Sequence, residues 1–142
     1  MKHIVFSVNS SWNVINFRKG VIMGLIRMGC RVTVVAPWDE YSEQISELGA
    51  DYCELPMDQQ GKSIIEDFKL FFRYVSIIRK LRPDVYVGYT IKPNVYGSLA
   101  ARCFGVPTVN NVAGLGNVFV HGGVLQKLVK RLYAVALSKA SC

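Results

Sequence analysis

The segment M-G-C-R-V-T-V-V-A, Met28 to Ala36, sets the reading of the whole chain. A glycine closes a helix-like run, and a Val-rich apolar run follows at once. Glycine takes the left-handed backbone conformation that ends a helix without a Cβ penalty. The near-continuous apolar run suits a strand covered on both faces, as in a parallel sheet. The same helix–glycine–strand junction recurs at Leu48-Gly49-Ala50 and at Phe104-Gly105-Val106. A further helix-to-strand junction uses proline instead, in Leu81-Arg82-Pro83-Asp84.

Working outward from that segment, strands are expected over residues 3–8, 31–36, 51–55, 84–89 and 107–111. Helices are expected over 17–28, 39–48, 64–81, 94–104 and 124–139. Asn16 and Asn94 stand where N-caps belong. In the third helix, Phe68, Phe71, Phe72, Val75 and Ile78 recur at helical spacing, which predicts one side packed on a sheet. Strand–helix alternation with short connectors predicts an α/β fold: a Rossmann-like, doubly wound parallel sheet of about five strands flanked by helices.

The totals agree with one domain over residues 1–142. Apolar types make up 51% of the chain, enough for a core at this size. No stretch approaches the roughly 20 apolar residues of a transmembrane helix; the best candidate, residues 70–78, is interrupted by Arg73. The apolar start is short and runs straight into Asn9-Ser10-Ser11, unlike a signal peptide. A soluble, cytoplasmic domain is the expectation. Cys30, Cys53, Cys103 and Cys142 form no C-x-x-C pair, and His3 and His121 are far apart, so reduced thiols are expected rather than a metal site. The last expected helix has no strand to cross back to, so the sequence reads as part of a longer protein.

The net charge of +7 is unevenly placed. All ten acidic residues lie between Asp39 and Asp84, and the stretch after Asp84 carries Lys92, Arg102, Lys127, Lys130, Arg131 and Lys139 with no acid. Such a stretch favours anionic partners; phosphates, anionic lipid head groups and nucleic acid all answer to it.

Open parallel sheets bind ligands outside the carboxyl ends of their strands, where the strand order reverses. That point is expected between the first and fourth strands, so three loops should converge there: residues 9–16, 89–94 and 112–120. The first, N-S-S-W-N-V-I-N, has no glycine, which argues against a dinucleotide fingerprint. It offers Ser10, Ser11 and Trp12 to a ligand, while Asn16 caps the next helix. In the second, Lys92 stands beside a helix start that already favours an anion; the alternative is a solvated surface lysine. In the third, Gly114 and Gly116 permit a loop that closes over a substrate, or one that is simply flexible. His121 follows as a candidate general base, with an ordinary surface histidine as the alternative.

Gly61-Lys62-Ser63 mimics the end of a P-loop. The motif also needs glycine at position 56, where Pro56 has no N–H to offer a phosphate. In the last expected helix, Lys127, Lys130 and Arg131 oppose Leu125, Leu128, Val129 and Leu132. This pattern suits an anionic membrane surface, or a surface helix packed on its own sheet.

With these loops identified, the chain resembles the N-terminal domain of GT-B glycosyltransferases of the group called family 4. The carrying segments are Y-T-I-K-P-N-V-Y-G-S-L-A-A-R (Tyr89 to Arg102) and G-V-P-T-V-N-N-V-A-G-L-G (Gly105 to Gly116). S-W-N-V-I-N-F-R-K-G, from Ser11, fits more loosely. K-P-N-x-Y-G is similar to bacterial members that build capsule, O-antigen and related surface glycans.

The resemblance implies the N-terminal half of a two-domain enzyme. A nucleotide-sugar donor would bind a second domain, which carries paired glutamates and is absent from this chain. A glycan acceptor, often on a polyprenyl diphosphate at the inner membrane face, would bind this one. It implies no metal, no other cofactor and no nucleic-acid partner. The implied acceptor-side residues are Thr90, Lys92, Asn94 and Tyr96, then Asn111, Gly114, Gly116 and Asn117, with Ser10, Trp12, Asn16 and Arg18. No catalytic residue is assigned. The chain departs from relatives at Ala113, where some carry a carboxylate, and at Gln59-Gln60 and Lys62-Ser63. The competing reading is a non-enzymatic or nucleotide-binding α/β module that uses the Gly61-Lys62-Ser63 loop.

Overall fold

The computed structural model describes residues 1–57 and 63–111. Its strands are β1 (His3–Ser7), β2 (Arg31–Ala36), β3 (Asp51–Glu54), β4 (Val85–Tyr89) and β5 (Thr108–Asn111). They form one sheet in the order β3-β2-β1-β4-β5, and every neighbouring pair is parallel. The chain winds to one side through β1, β2 and β3, then returns to build β4 and β5 on the other side of β1. The order therefore reverses between β1 and β4, whose register pairs Ser7 with Gly88 at their carboxyl ends.

The helices are α1 (Ser11–Asn13), the π-helical turn π1 (Val14–Arg18), α2 (Lys19–Arg27), α3 (Ser42–Glu47), α4 (Ile64–Leu81), the π-helical turn π2 (Pro93–Gly97) and α5 (Ser98–Cys103). Strand residues alternate between two cores, as the period of two requires. Ile4, Phe6, Val32 and Val34 join Ile22 of α2 and Ile45 of α3 on one face. Val5 and Val35 join Leu70, Tyr74 and Ile78 of α4 with Tyr86 on the other. Each such aliphatic side chain contributes roughly 1.5–3 kcal/mol when fully buried. The buried tyrosines keep hydrogen-bond partners: Tyr74 Oη lies 2.7 Å from Ser7 Oγ, and Tyr86 donates to the Pro93 carbonyl at 2.7 Å. Burial raises both phenol pKa values, which keeps them neutral.

Gly29, Gly49 and Gly105 hold φ of +87°, +91° and +67°, so the three glycine junctions are left-handed turns as expected. At the proline junction the left-handed turn is present too. Arg82 supplies it at φ 45°, and Pro83 follows.

Two sequence expectations are corrected. The first helical stretch opens at Ser11, not Phe17. Ser10 caps it, accepting from the Asn13 amide at 3.2 Å. Asn16 lies inside π1 and donates to the Trp12 carbonyl at 2.8 Å, so it caps nothing. The aromatic stripe expected on α4 holds at Phe71, Val75 and Ile78, which lie in or against the core, but not at Phe68 and Phe72. The buried line of α4 is Leu70, Tyr74 and Ile78, four residues apart. Phe68 and Phe72 stand two residues off that line, more than half a turn around the helix, and are 62% and 64% exposed. The expected fifth helix lies outside the described residues.

Candidate functional site

Both chain segments that leave the β1/β4 switch point carry a π-helical turn early in their helical stretch, π1 after β1 and π2 after β4. Isolated π turns concentrate at functional sites because the extra residue breaks the regular hydrogen-bond ladder and re-aims side chains. Between them stands Tyr89, the last residue of β4. Its ring stacks on Phe6 of β1, with centroids 5.7 Å apart. The Arg18 guanidinium lies over the same ring, 4.4 Å from its centroid. Arg18 thus ties the segment after β1 to the end of β4. Burial raises the Tyr89 pKa, and the nearby Arg18 charge works against that shift.

Thr90 follows in the left-handed region at φ 68°. That conformation is costly for a β-branched residue. Its carbonyl accepts from the Asn94 amide at 3.1 Å. Among the described residues its buried hydroxyl finds no partner, and neither do the buried Arg18 Nε and Asn13 Oδ1. Trp12 and Phe17 form an edge-on pair on the outer surface, 5.5 Å apart and 45% and 61% exposed. The Trp12 amide is anchored to Asp39 Oδ2 at 3.0 Å.

The second expected loop is mostly helix, and its side chains are largely committed. Lys92 Nζ sits 3.0 Å from Asp67 Oδ1, an ion pair without hydrogen-bond alignment. Tyr96 donates to Asp67 Oδ2 at 2.9 Å, and burial with that carboxylate raises its pKa. Lys92 is therefore neither a solvated surface lysine nor an uncompensated charge beside a helix start. Asn94 is fully buried and does not cap. Its Nδ2 donates to the Asn111 carbonyl at 2.9 Å, and its Oδ1 accepts from Asn110 at 3.0 Å. It clamps π2 to the end of β5. Gly88 leaves room for this clamp, since a Cβ there would lie 2.7 Å from Asn94 Oδ1.

Ser11 is also structural, buried against Ser42 with their hydroxyl oxygens 2.8 Å apart. Ser63 caps α4 by accepting from the Glu66 amide at 3.4 Å. Gly61, Lys62, Gly114, Gly116, Asn117, His121 and the basic residues of the last helix lie outside the described residues. Of the expected residues, the structure brings Trp12, Arg18 and Thr90 to the switch-point edge. Ser10 and Asn16 serve the backbone of the first helical stretch. Lys92 and Tyr96 meet on Asp67, while Asn94 and Asn111 brace β5. Sequence reasoning missed Asn13, Asp67 and Tyr89. Asp67 had a signal, an acid in the first turn of a helix, but nothing local announces its distant partners.

Residues 3–142 match the family described as Glycosyl transferase 4-like. The chain belongs to that family. Among curated relatives, it is 26% identical over 128 residues to the N,N'-diacetylbacillosaminyl-diphospho-undecaprenol alpha-1,3-N-acetylgalactosaminyltransferase of Campylobacter jejuni. That match covers 89% of this chain and 34% of the relative, so the chain spans about a third of the relative's length. Among solved structures, Acinetobacter baumannii MurG superposes with a TM-score of 0.64 at 17% identity, covering 93% of this chain and 39% of that one. A UDP-GlcNAc 2-epimerase from Neisseria meningitidis superposes with a TM-score of 0.65 at 21% identity, covering 96% and 39%. Transferases and epimerases thus share this Rossmann-like fold, and the fold alone does not choose between them. The family match is to the glycosyl transferases.

Proposed function

We propose that residues 1–142 form the acceptor-side domain of a glycosyltransferase that moves a hexose or N-acetylhexosamine from a nucleotide sugar to a lipid-linked glycan, as in surface polysaccharide synthesis. The observation that carries this is the switch-point edge. It combines an exposed aromatic pair, Trp12 and Phe17, with buried polar groups that have no partner among the described residues. Aromatic faces pack on sugar rings, and buried polar atoms await a ligand's hydroxyls. The named activity of the Campylobacter relative, on a diphospho-undecaprenol acceptor, supports the substrate class. The nucleotide sugar binds a second domain, which accords with the share of that relative this chain spans.

No helix among the described residues is long and apolar enough to cross a membrane. A lipid-linked acceptor calls instead for a chain that lies on the membrane surface, here its cytoplasmic face. The outward side of α4 suits that role. Ile64, Ile65, Phe68 and Phe72 are exposed there beside Lys69 and Arg73. An apolar strip with basic flanks binds anionic bilayers.

The test is a transfer assay on the 142-residue chain with UDP-N-acetylhexosamine and a polyprenyl-diphosphate-linked N-acetylhexosamine. Acceptor binding without turnover is expected. Transfer by this chain alone contradicts the division of labour, and no acceptor binding contradicts the domain's role.

A further inference from the structure

Among the described residues, Arg18 and Lys92 stand on either side of the end of β4, and they are held differently. Lys92 faces the Asp67 carboxylate at 3.0 Å, and both side chains are largely buried, at 13% and 22% exposure. Its charge is already answered within the fold. Arg18 has no carboxylate partner among the described residues. Its guanidinium rests on an aromatic ring, and its buried Nε donates to no other described residue. A ring face orients a guanidinium without using any of its N–H donors. The fork of Nε and one Nη is the geometry that takes two oxygens of a phosphate.

The neighbours define the rest of the ligand. In a π-helical turn residue i is bonded to residue i+5, so Asn13 and Arg18, at the two ends of this stretch, are about one turn apart. The Asn13 Oδ1 and Thr90 Oγ1 atoms are buried and have no partner among the described residues. One can accept from a hydroxyl, and the other can accept or donate. Thr90 directly follows Tyr89, the residue beneath Arg18. Trp12 and Phe17 flank the same stretch with exposed aromatic faces.

We propose that Arg18, rather than Lys92, receives the phosphate or diphosphate oxygens of a phosphorylated sugar, with Asn13 and Thr90 binding polar groups of the same ligand. This rests on the acceptor-side reading above and narrows it to one cation and one ligand class. Lys92 is then a structural cation that holds π2 against α4.

The test is isothermal titration of the 142-residue chain with inorganic pyrophosphate at low salt, where anion binding is least screened. Arg18→Met is expected to weaken binding at least tenfold. Arg18→Lys keeps the charge but loses the fork, and is expected to weaken it at least fivefold. It also serves as the second variant should Arg18→Met not fold. Lys92→Met is expected to stay within about twofold of the parent once its folded fraction is confirmed by melting. Wild-type affinity in both Arg18 variants, or a larger loss in Lys92→Met, overturns the assignment. An NMR titration with the neutral methyl glycoside of N-acetylglucosamine separates the two levels of the account. A chain that binds the glycoside at this edge but ignores pyrophosphate overturns this inference alone. A chain that binds neither overturns the acceptor reading as well.

Discussion

Lys92 and Asp67 form an ion pair 3.0 Å long that joins the residue before π2 to the first turn of α4, and Tyr96 donates to the other oxygen of the same carboxylate. Breaking a buried pair from one side strands the remaining charge, which costs about 3–5 kcal/mol at full burial. The pair here retains some solvent contact. Lys92→Met should therefore destabilise the chain by about 2 kcal/mol. The double variant Lys92→Met/Asp67→Asn should recover part of that loss. Urea unfolding of the four proteins in the cycle measures it, and strict additivity would contradict the pairing.

Gly97 shows why K-P-N-x-Y-G ends in glycine. A Cβ at that position would overlap the hydroxyl and ring of Tyr86, which is pinned by its hydrogen bond to Pro93. Gly97→Ala should cost about 3 kcal/mol or more, because the obstacle is a buried ring that cannot move aside. Gly20 and Gly24 of α2 face open space. Alanine there should stabilise by roughly 0.5–1 kcal/mol each. Thermal melts of the three variants test the contrast, and equal effects would refute it.

His3 should make stability depend on pH. It is buried, and its Nε2 lies 2.8 Å from Thr33 Oγ1. Burial lowers its pKa first and the Arg31 charge second, against opposing effects from the Leu81 backbone hydrogen bond, Asp51 and Asp84. The unfolded chain therefore takes up a proton near the ordinary histidine value of about 6.5, where the folded chain does not. The contribution is fully present above that pH and is lost as pH falls through the window down to the lowered folded value. Urea midpoints between about pH 5 and pH 7.5 should fall less steeply with acid in His3→Gln than in the parent. Parallel profiles would contradict this.

The outward face of α4 predicts membrane binding. Lys69 pairs with Glu66 at 3.4 Å, with both side chains more than half exposed, and Arg73 donates to the Pro56 carbonyl at 3.2 Å. Neither arrangement withdraws its charge from the surface. Cosedimentation with phosphatidylglycerol vesicles should exceed that with phosphatidylcholine vesicles. It should fall at least fivefold in Phe68→Ser/Phe72→Ser, and weaken with salt. Unchanged binding in the double variant would remove this face from the account.

The fold was legible because its signals are local. Glycine junctions and apolar runs of strand length mark the sheet, and parallel winding follows from the alternation. The switch-point site was legible only in outline. Asn16 looked like a cap because helix starts were inferred from hydrophobic spacing, whereas Ser10 begins the turn earlier and π1 absorbs an extra residue. Phe68 and Phe72 looked like core because aromatic residues at helical spacing usually are, but the buried face follows the Leu70–Tyr74–Ile78 line on the other side of the helix. Lys92 looked available because its partner, Asp67, is distant in sequence. Arg18 was singled out by resemblance, but the ring beneath it was not visible until β1 and β4 were paired.

The central claim is that the acceptor binds at the carboxyl ends of β1 and β4. An amide-resolved NMR titration of the 142-residue chain with a short-chain polyprenyl-diphosphate-linked N-acetylhexosamine tests it most directly. The account predicts that the largest shifts fall on Trp12, Asn13, Arg18 and Thr90. Shifts confined to the opposite end of the sheet, in the shallow cleft lined by Arg31, Gly49, Asp51 and Lys80, would contradict it.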